Sequence, residues 1–154
     1  MLILIIILFL IAGGLGSIFV SSSIDTWYIF LNKPFFSPPA FVFGPVGTVL
    51  YILLAVFYWR LDRLYKSGKE KELIKQVKGL FILQLVFNYM WTPVFFGLRS
   101  ILGGLILLVL LDLLVIRMTW LSLKIDNKCF YISLLYLLWL LFATSLNLGT
   151  FILN

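Results

Sequence analysis

Two groups of polar side chains interrupt otherwise apolar stretches of this 154-residue chain, and chemistry could start from them. Gln84 and Asn88 are four residues apart, which places them on one face of a helix, and Trp91 and Thr92 follow. Further on, Thr144, Ser145 and Asn147 break a leucine-rich run. Amides and hydroxyls in such a setting can bond one helix to another, or serve as the few polar anchors of an apolar, aromatic pocket. Both readings stand at this point. Asp112 is the only acid deep in an apolar run, and Arg117, five residues on, lies too far round a helix for ideal pairing. Without partner charges in other runs, a structural role for Asp112 is favoured over an ion pathway. The chain has no histidine and one cysteine, Cys129, so the commonest metal ligand and general base are missing and no internal disulfide can form. No catalytic residue, no metal site and no required cofactor are read from these residues.

One connecting segment is unlike the others. Residues 21–40 hold Trp27-Tyr28, Lys33-Pro34, Phe35-Phe36 and Pro38-Pro39. Three prolines fix backbone angles, and the aromatics supply flat surface. Such a segment is either a stiff loop on a membrane surface or a lid over a pocket between helices.

The elements that must position these residues follow from hydropathy. The chain is 63% hydrophobic and 12% charged, against roughly 45–50% and about 25% in soluble domains. A soluble protein of this length could not hide so much apolar surface, whereas lipid removes the need. A helix needs about 20 mostly apolar residues to cross the hydrocarbon core. The runs at about 2–20, 41–59, 79–96, 100–123 and 130–153 meet that length, so we expect an all-α membrane protein, a single domain folded as a five-transmembrane-helix bundle. The first run lacks preceding basic residues and a cleavage site, so it is read as a retained span. A barrel is disfavoured, because its strands would alternate apolar and polar residues. Connections of a few residues make the third, fourth and fifth helices antiparallel neighbours. Pro93 falls in the last turn of the third, where a missing N–H disrupts little. Gly13 with Ser17, and Gly103 with Gly104, permit close helix approach.

Net charge is +6. Arg60, Arg63, Lys66, Lys69, Lys71, Lys75 and Lys78 gather in a basic loop at 60–78, interleaved with acids, which reads as a topology signal and argues against nucleic acid. Arg117, Lys124 and Lys128 fall on the same side, and only Lys33 and Arg99 on the other. The positive-inside rule then places the N-terminus in the cytoplasm and the C-terminus outside, in a multi-pass protein of a prokaryotic cell membrane in contact with lipid.

These motifs together resemble the translocator protein family (TspO/MBR), whose members are also called tryptophan-rich sensory proteins or peripheral benzodiazepine receptors. The resemblance runs from Gly16-Ser17 to the C-terminus. It rests on Trp27-Tyr28, Leu31, Lys33-Pro34 and Pro38-Pro39; on Phe43-Gly44-Pro45 and Leu50-Tyr51; on Gln84-Leu85, Asn88, Trp91, Phe95-Phe96-Gly97 and Arg99; and on Tyr136, Trp139, Phe142-Ala143-Thr144 and Leu146-Asn147. It implies a five-helix bundle, often a homodimer, with a pocket closed by the first loop. It also implies ligands such as porphyrin, haem and other hydrophobic small molecules, bound by a sensor or regulator. A light- and oxygen-dependent porphyrin-degrading enzyme and a transporter are the alternative readings. Tyr28, Pro38, Phe43, Asn88, Trp91, Phe96, Trp139 and Ala143 are implied to line the pocket. The family usually has a tryptophan where this chain has Gly47, one of two implicated in porphyrin breakdown; only the other survives, as Trp139. The chain also has Leu135-Tyr136 in place of Pro-Tyr, and residues 148–154 lack the tyrosine and basic residue of the animal sterol motif, so sterol handling is not carried over.

Overall fold

The computed structural model describes residues 2–154, with side chains described throughout except at positions 2, 4, 5, 8, 9, 12, 13 and 15–17. Each apolar run winds into a helix, the conformation that satisfies backbone N–H and C=O groups within one segment where lipid offers none. The helices are α1 (Leu2–Ser23), α2 (Phe43–Lys66), α3 (Lys71–Thr92), α4 (Ile101–Ile125) and α5 (Asn127–Leu153). Short 3₁₀ turns at Tyr28–Phe30 and Ala40–Val42 shape the α1–α2 connection. Among the described residues, four stretches are long and apolar enough to cross a membrane: Ala40–Lys66, Lys71–Gly97, Ile101–Ile125 and Asn127–Leu153. These are four of the five expected spans, and the first run forms the uncharged 22-residue helix α1. The outer faces carry Val49, Ile82, Val86, Leu113, Leu138 and Ile152, all exposed, while Gln84, Asp112, Thr119, Ser122, Ser133 and Asn147 are buried. Apolar outside and polar inside is the pattern that a lipid solvent selects.

Helix ends differ from the sequence expectation in two places. The basic segment 60–78 is mostly helical, because α2 continues to Lys66 and α3 begins at Lys71, leaving residues 67–70 as the turn. Asp62 explains the extension: it holds Lys66 on its own helix at 2.8 Å and Lys78 across on α3 at 2.9 Å. At the other end of α3, Pro93 does more than cap. Lacking an N–H, it ends the α-helical ladder, and Pro93–Gly97 winds as a wider π turn in which Leu98 N–H donates to Pro93 O at 2.9 Å. That turn buries both Phe95 and Phe96.

Two caps fix the remaining connections. The Ser100 side chain accepts from Gly103 N–H at the start of α4, and Asp126 accepts from Cys129 N–H at the start of α5. Asp126 is also gripped by Arg60 of α2 through Nε at 2.6 Å and Nη2 at 2.9 Å. The Arg60 guanidinium holds the Asp126 carboxyl well below the usual carboxylate range. A carboxyl depressed in the folded state adds stability above its unfolded pKa of about 4, and that stability is lost as the pH falls toward the folded value. We expect Asp126→Ala to cost about 2 kcal/mol at pH 7, from the lost cap and the lost charged hydrogen bonds. Thermal unfolding in detergent, followed by circular dichroism, checks this: the gap between wild type and variant should narrow below about pH 4.

The helices pack as a ring. α4 lies along α3 and α5, α1 lies along α2 and the π turn, and α2 meets α5 more sparingly. The end bearing the basic turn is solid: Phe57, Leu61, Ile74, Val77, Phe81, Val115, Met118 and Cys129 are inaccessible there, with Phe57 and Phe81 stacked at 5.6 Å. In lipid such a core holds by van der Waals fit more than by the hydrophobic effect. The opposite end, under the α1–α2 loop, is where space remains. Of the small-residue pairs, Gly13 and Ser17 lie outside the described side chains. Gly104 does permit close approach, as a Cβ there would sit 2.7 Å from the Phe95 ring.

Candidate functional site

Each helix contributes one face to the open end. The lining positions 43, 47, 50, 51 and 54 of α2 and 136, 139, 140 and 143 of α5 recur at helical spacing, and α3 adds Asn88, Trp91 and Thr92. With Leu108 and Leu111 of α4 they enclose a cavity of about 200 Å³ within the bundle. A second cavity of about 200 Å³ lies beneath the α1–α2 loop, lined by Tyr28, Ser37, Ala40, Phe95, Phe96 and Asn147 among others. Phe43, Trp91 and Ala143 line both, so the two are adjoining lobes of one site. An apolar groove of about 500 Å³ between α2 and α5 runs along the outside and shares Leu50 and Trp139 with the inner lobe.

Aromatic rings set the shape. Trp91 stacks on Phe95 at 5.0 Å and stands perpendicular to Phe96 at 5.9 Å. Trp27 meets Phe95 edge-on at 5.4 Å, and Tyr28 meets Phe96 at 5.5 Å. In the inner lobe Phe43 meets Trp139 at 6.2 Å. Among the described residues no charged side chain lines either lobe; Lys33 sits 4.2 Å from the centroid of the Tyr28 ring, which lines the loop-side lobe.

The loop is tied down at three points. Ser23 donates to the carbonyl of Phe96 at 2.7 Å, Arg99 donates to Thr26 at 3.3 Å, and Asn32 and Asn154 clasp each other. In the clasp Asn32 N–H donates to Asn154 Oδ1 at 3.0 Å, and Asn154 Nδ2 returns a bond to Asn32 O at 2.8 Å. Pro34 is buried against Gly149, where any Cβ would collide with its ring. Of residues 21–40, Ile24, Tyr28, Ser37 and Ala40 face the cavity beneath them.

All the residues that the resemblance implied face one lobe or the other except Pro38. Tyr28 and Phe96 are on the loop side, Gly47, Asn88 and Trp139 on the inner side, and Phe43, Trp91 and Ala143 between. Pro38 lines neither, its neighbours Ser37 and Ala40 taking that place. Gly47 faces open space, with nothing within 4 Å of a Cβ built on it.

The polar residues separate by role. Asn88 binds helices together: its Oδ1 accepts from Tyr51 of α2 at 3.0 Å, and its Nδ2 donates to Tyr136 of α5 at 2.9 Å. Tyr136 in turn donates to Gln84 Oε1 at 2.8 Å, which realises the i, i+4 pairing on α3. Thr144 donates to Asp112 at 2.7 Å, giving Asp112 a bond from α4 to α5. Ser145 turns back to the Phe142 carbonyl. Asn147 differs from all of these: it is 4% exposed, and among the described residues neither side-chain atom has a hydrogen-bond partner. Its sequence signal, an amide inside a leucine run, is the same as that of Asn88, and only the packing distinguishes them.

The fold and site define an all-helical, multi-pass membrane protein with an aromatic cavity between its helices, lined in part by the proline-bearing α1–α2 segment. The TspO/MBR family model matches residues 4–153, and the chain belongs to that family. It is 37% identical over 142 residues to the tryptophan-rich protein TspO of Archaeoglobus fulgidus, covering 92% of this chain and 89% of the relative. It is 35% identical over 130 residues to the tryptophan-rich sensory protein of Cereibacter sphaeroides, covering 84% and 78%. To the human translocator protein it is 32% identical over 132 residues, covering 86% and 77%.

Proposed function

We propose that the protein binds tetrapyrroles, such as protoporphyrin or haem, and other hydrophobic small ligands in the two-lobed cavity, and acts as a membrane sensor or regulator. The supporting observation is that Phe43, Trp91 and Ala143 join two aromatic, uncharged lobes under a tethered loop. Ligand sites are mostly apolar cavities with few polar groups, as here. A planar macrocycle must occupy more than one lobe, and the adjoining α2–α5 groove gives it an approach from lipid. The name of the Cereibacter relative, a sensory protein, is in keeping with this reading. We further infer that α1 crosses the membrane as a fifth span, with the basic turn on the cytoplasmic side.

Protoporphyrin titration followed by tryptophan fluorescence tests the assignment. Trp139→Phe, which removes an indole from the inner lobe, should weaken binding by about fivefold, in line with the 1–3 kcal/mol typical of stacking on an aromatic. Gly47→Trp should also move the curve, because the new indole both adds a stacking face and takes up open space. Superimposable curves for wild type and both variants reject the inner lobe as the site.

A further inference from the structure

Arg117 sits within the apolar stretch Ile101–Ile125, about 12 Å along the axis from the last residue of α4. It is exposed on the outside of the bundle, as are Ile106, Leu113, Trp120 and Lys124. These five positions fall within about 60° of one another round the helix, so they form one stripe. The stripe is apolar toward the start of α4 and cationic toward the end that bears the basic turn. Lys124 Nζ lies 3.8 Å from the centroid of the Trp120 ring, which keeps the ammonium on the stripe. Among the described residues no carboxylate pairs with Arg117 or Lys124: Asp62 holds Lys66 and Lys78, Glu72 holds Lys75, and Asp126 holds Arg60. Glu70 stands out in the turn between α2 and α3, and Asp112 is buried with a bond from Thr144. A cation on a lipid-facing surface needs an anion to offset its desolvation, and here the protein supplies none.

We propose that Arg117, Trp120 and Lys124 form a binding site for an anionic phospholipid in the leaflet at the basic end. The Arg117 guanidinium takes two phosphate oxygens as a fork, and the Lys124 ammonium adds a further charged donor. The Trp120 indole lies at the interface between headgroup and acyl chain, and one chain follows Leu113 and Ile106 along the stripe. A choline headgroup is a poorer occupant, because its own cation would stand beside Lys124, whereas a glycerol headgroup brings none. This site is independent of the cavity, which α4 lines from its other side through Leu108 and Leu111.

Native mass spectrometry of the detergent-purified full chain tests this with phosphatidylglycerol and phosphatidylcholine of identical acyl chains. The ratio of the two affinities reads the headgroup, since the chains are shared. Wild type should favour phosphatidylglycerol by more than about tenfold, and Arg117→Gln and Lys124→Gln should each lower the ratio about fivefold, the effect of one basic residue at an anionic surface. Both residues are exposed, so neither exchange disturbs the core. Lys69→Gln removes the same charge from the turn at the same end and should leave the ratio unchanged. A ratio near one in wild type overturns the site. An equal fall in Lys69→Gln also overturns it, because the preference then comes from the diffuse field of the basic end. If Arg117→Gln instead converts a dimer to a monomer and leaves the ratio as it was, the stripe meets a second copy of the chain and the proposal falls.

Discussion

Replacing Gly149 with alanine should loosen the loop over the cavity, although the same change in most helices is stabilising. Glycine inside a helix costs roughly 0.5–1 kcal/mol relative to alanine, so a neutral site would gain that amount. At Gly149 the added methyl meets the buried Pro34 ring, which is rigid and cannot swing aside. Overpacking of this kind costs about 1–3 kcal/mol, enough to reverse the sign. The strain falls on the segment that also carries the Asn32–Asn154 clasp, so lifting Pro34 endangers both hydrogen bonds there. Hydrogen exchange of peptides spanning residues 28–38 should therefore quicken by about five- to 150-fold, the range those energies imply. Gly47→Ala, which meets nothing within 4 Å, is the matched control. Exchange unchanged in Gly149→Ala would show that Pro34 does not hold the loop.

The helical architecture was legible because hydropathy and backbone hydrogen bonding act locally. Apolar length predicts that residues 100–123 form a helix, and α4 runs over Ile101–Ile125. The criterion stops at the first charges, which is why it missed the ends of α2 and α3. Those ends leave the apolar layer and are held by Asp62 with Lys66 and Lys78, pairs separated by 4 and 16 residues that hydropathy does not register. The turn after α3 was half legible. Pro93 marks where the ladder must break, but the π turn that buries Phe95 and Phe96 together depends on what they pack against.

The cavity was legible in kind through its aromatic and amide content, and residue by residue through motif resemblance. Sequence alone could not divide Asn88, Thr144 and Asn147 into helix ties and a free amide, because that depends on whether a tyrosine or an aspartate faces each one across the bundle. Pro38 shows the converse limit: it stands in the Pro38-Pro39 pair that carries the resemblance, yet Ser37 and Ala40 line the cavity and Pro38 does not.

Ala143 is a position from which both lobes of the cavity can be filled at once. It lines both lobes from α5, and its methyl group marks their junction. An indole there grows into existing space, so Ala143→Trp should fold with a modest loss of stability while leaving no continuous room for a planar macrocycle. We expect its affinity for protoporphyrin to fall by at least about 30-fold, equivalent to about 2 kcal/mol. Leu141→Trp, on the exposed side of the same helix, should bind as wild type does. The measurement is the shift of the porphyrin absorption band on titration with purified protein, with helicity checked by circular dichroism. Saturable binding by wild type and Leu141→Trp, with binding lost in a folded Ala143→Trp, is the predicted result. Equal binding by all three would contradict a ligand site between these helices.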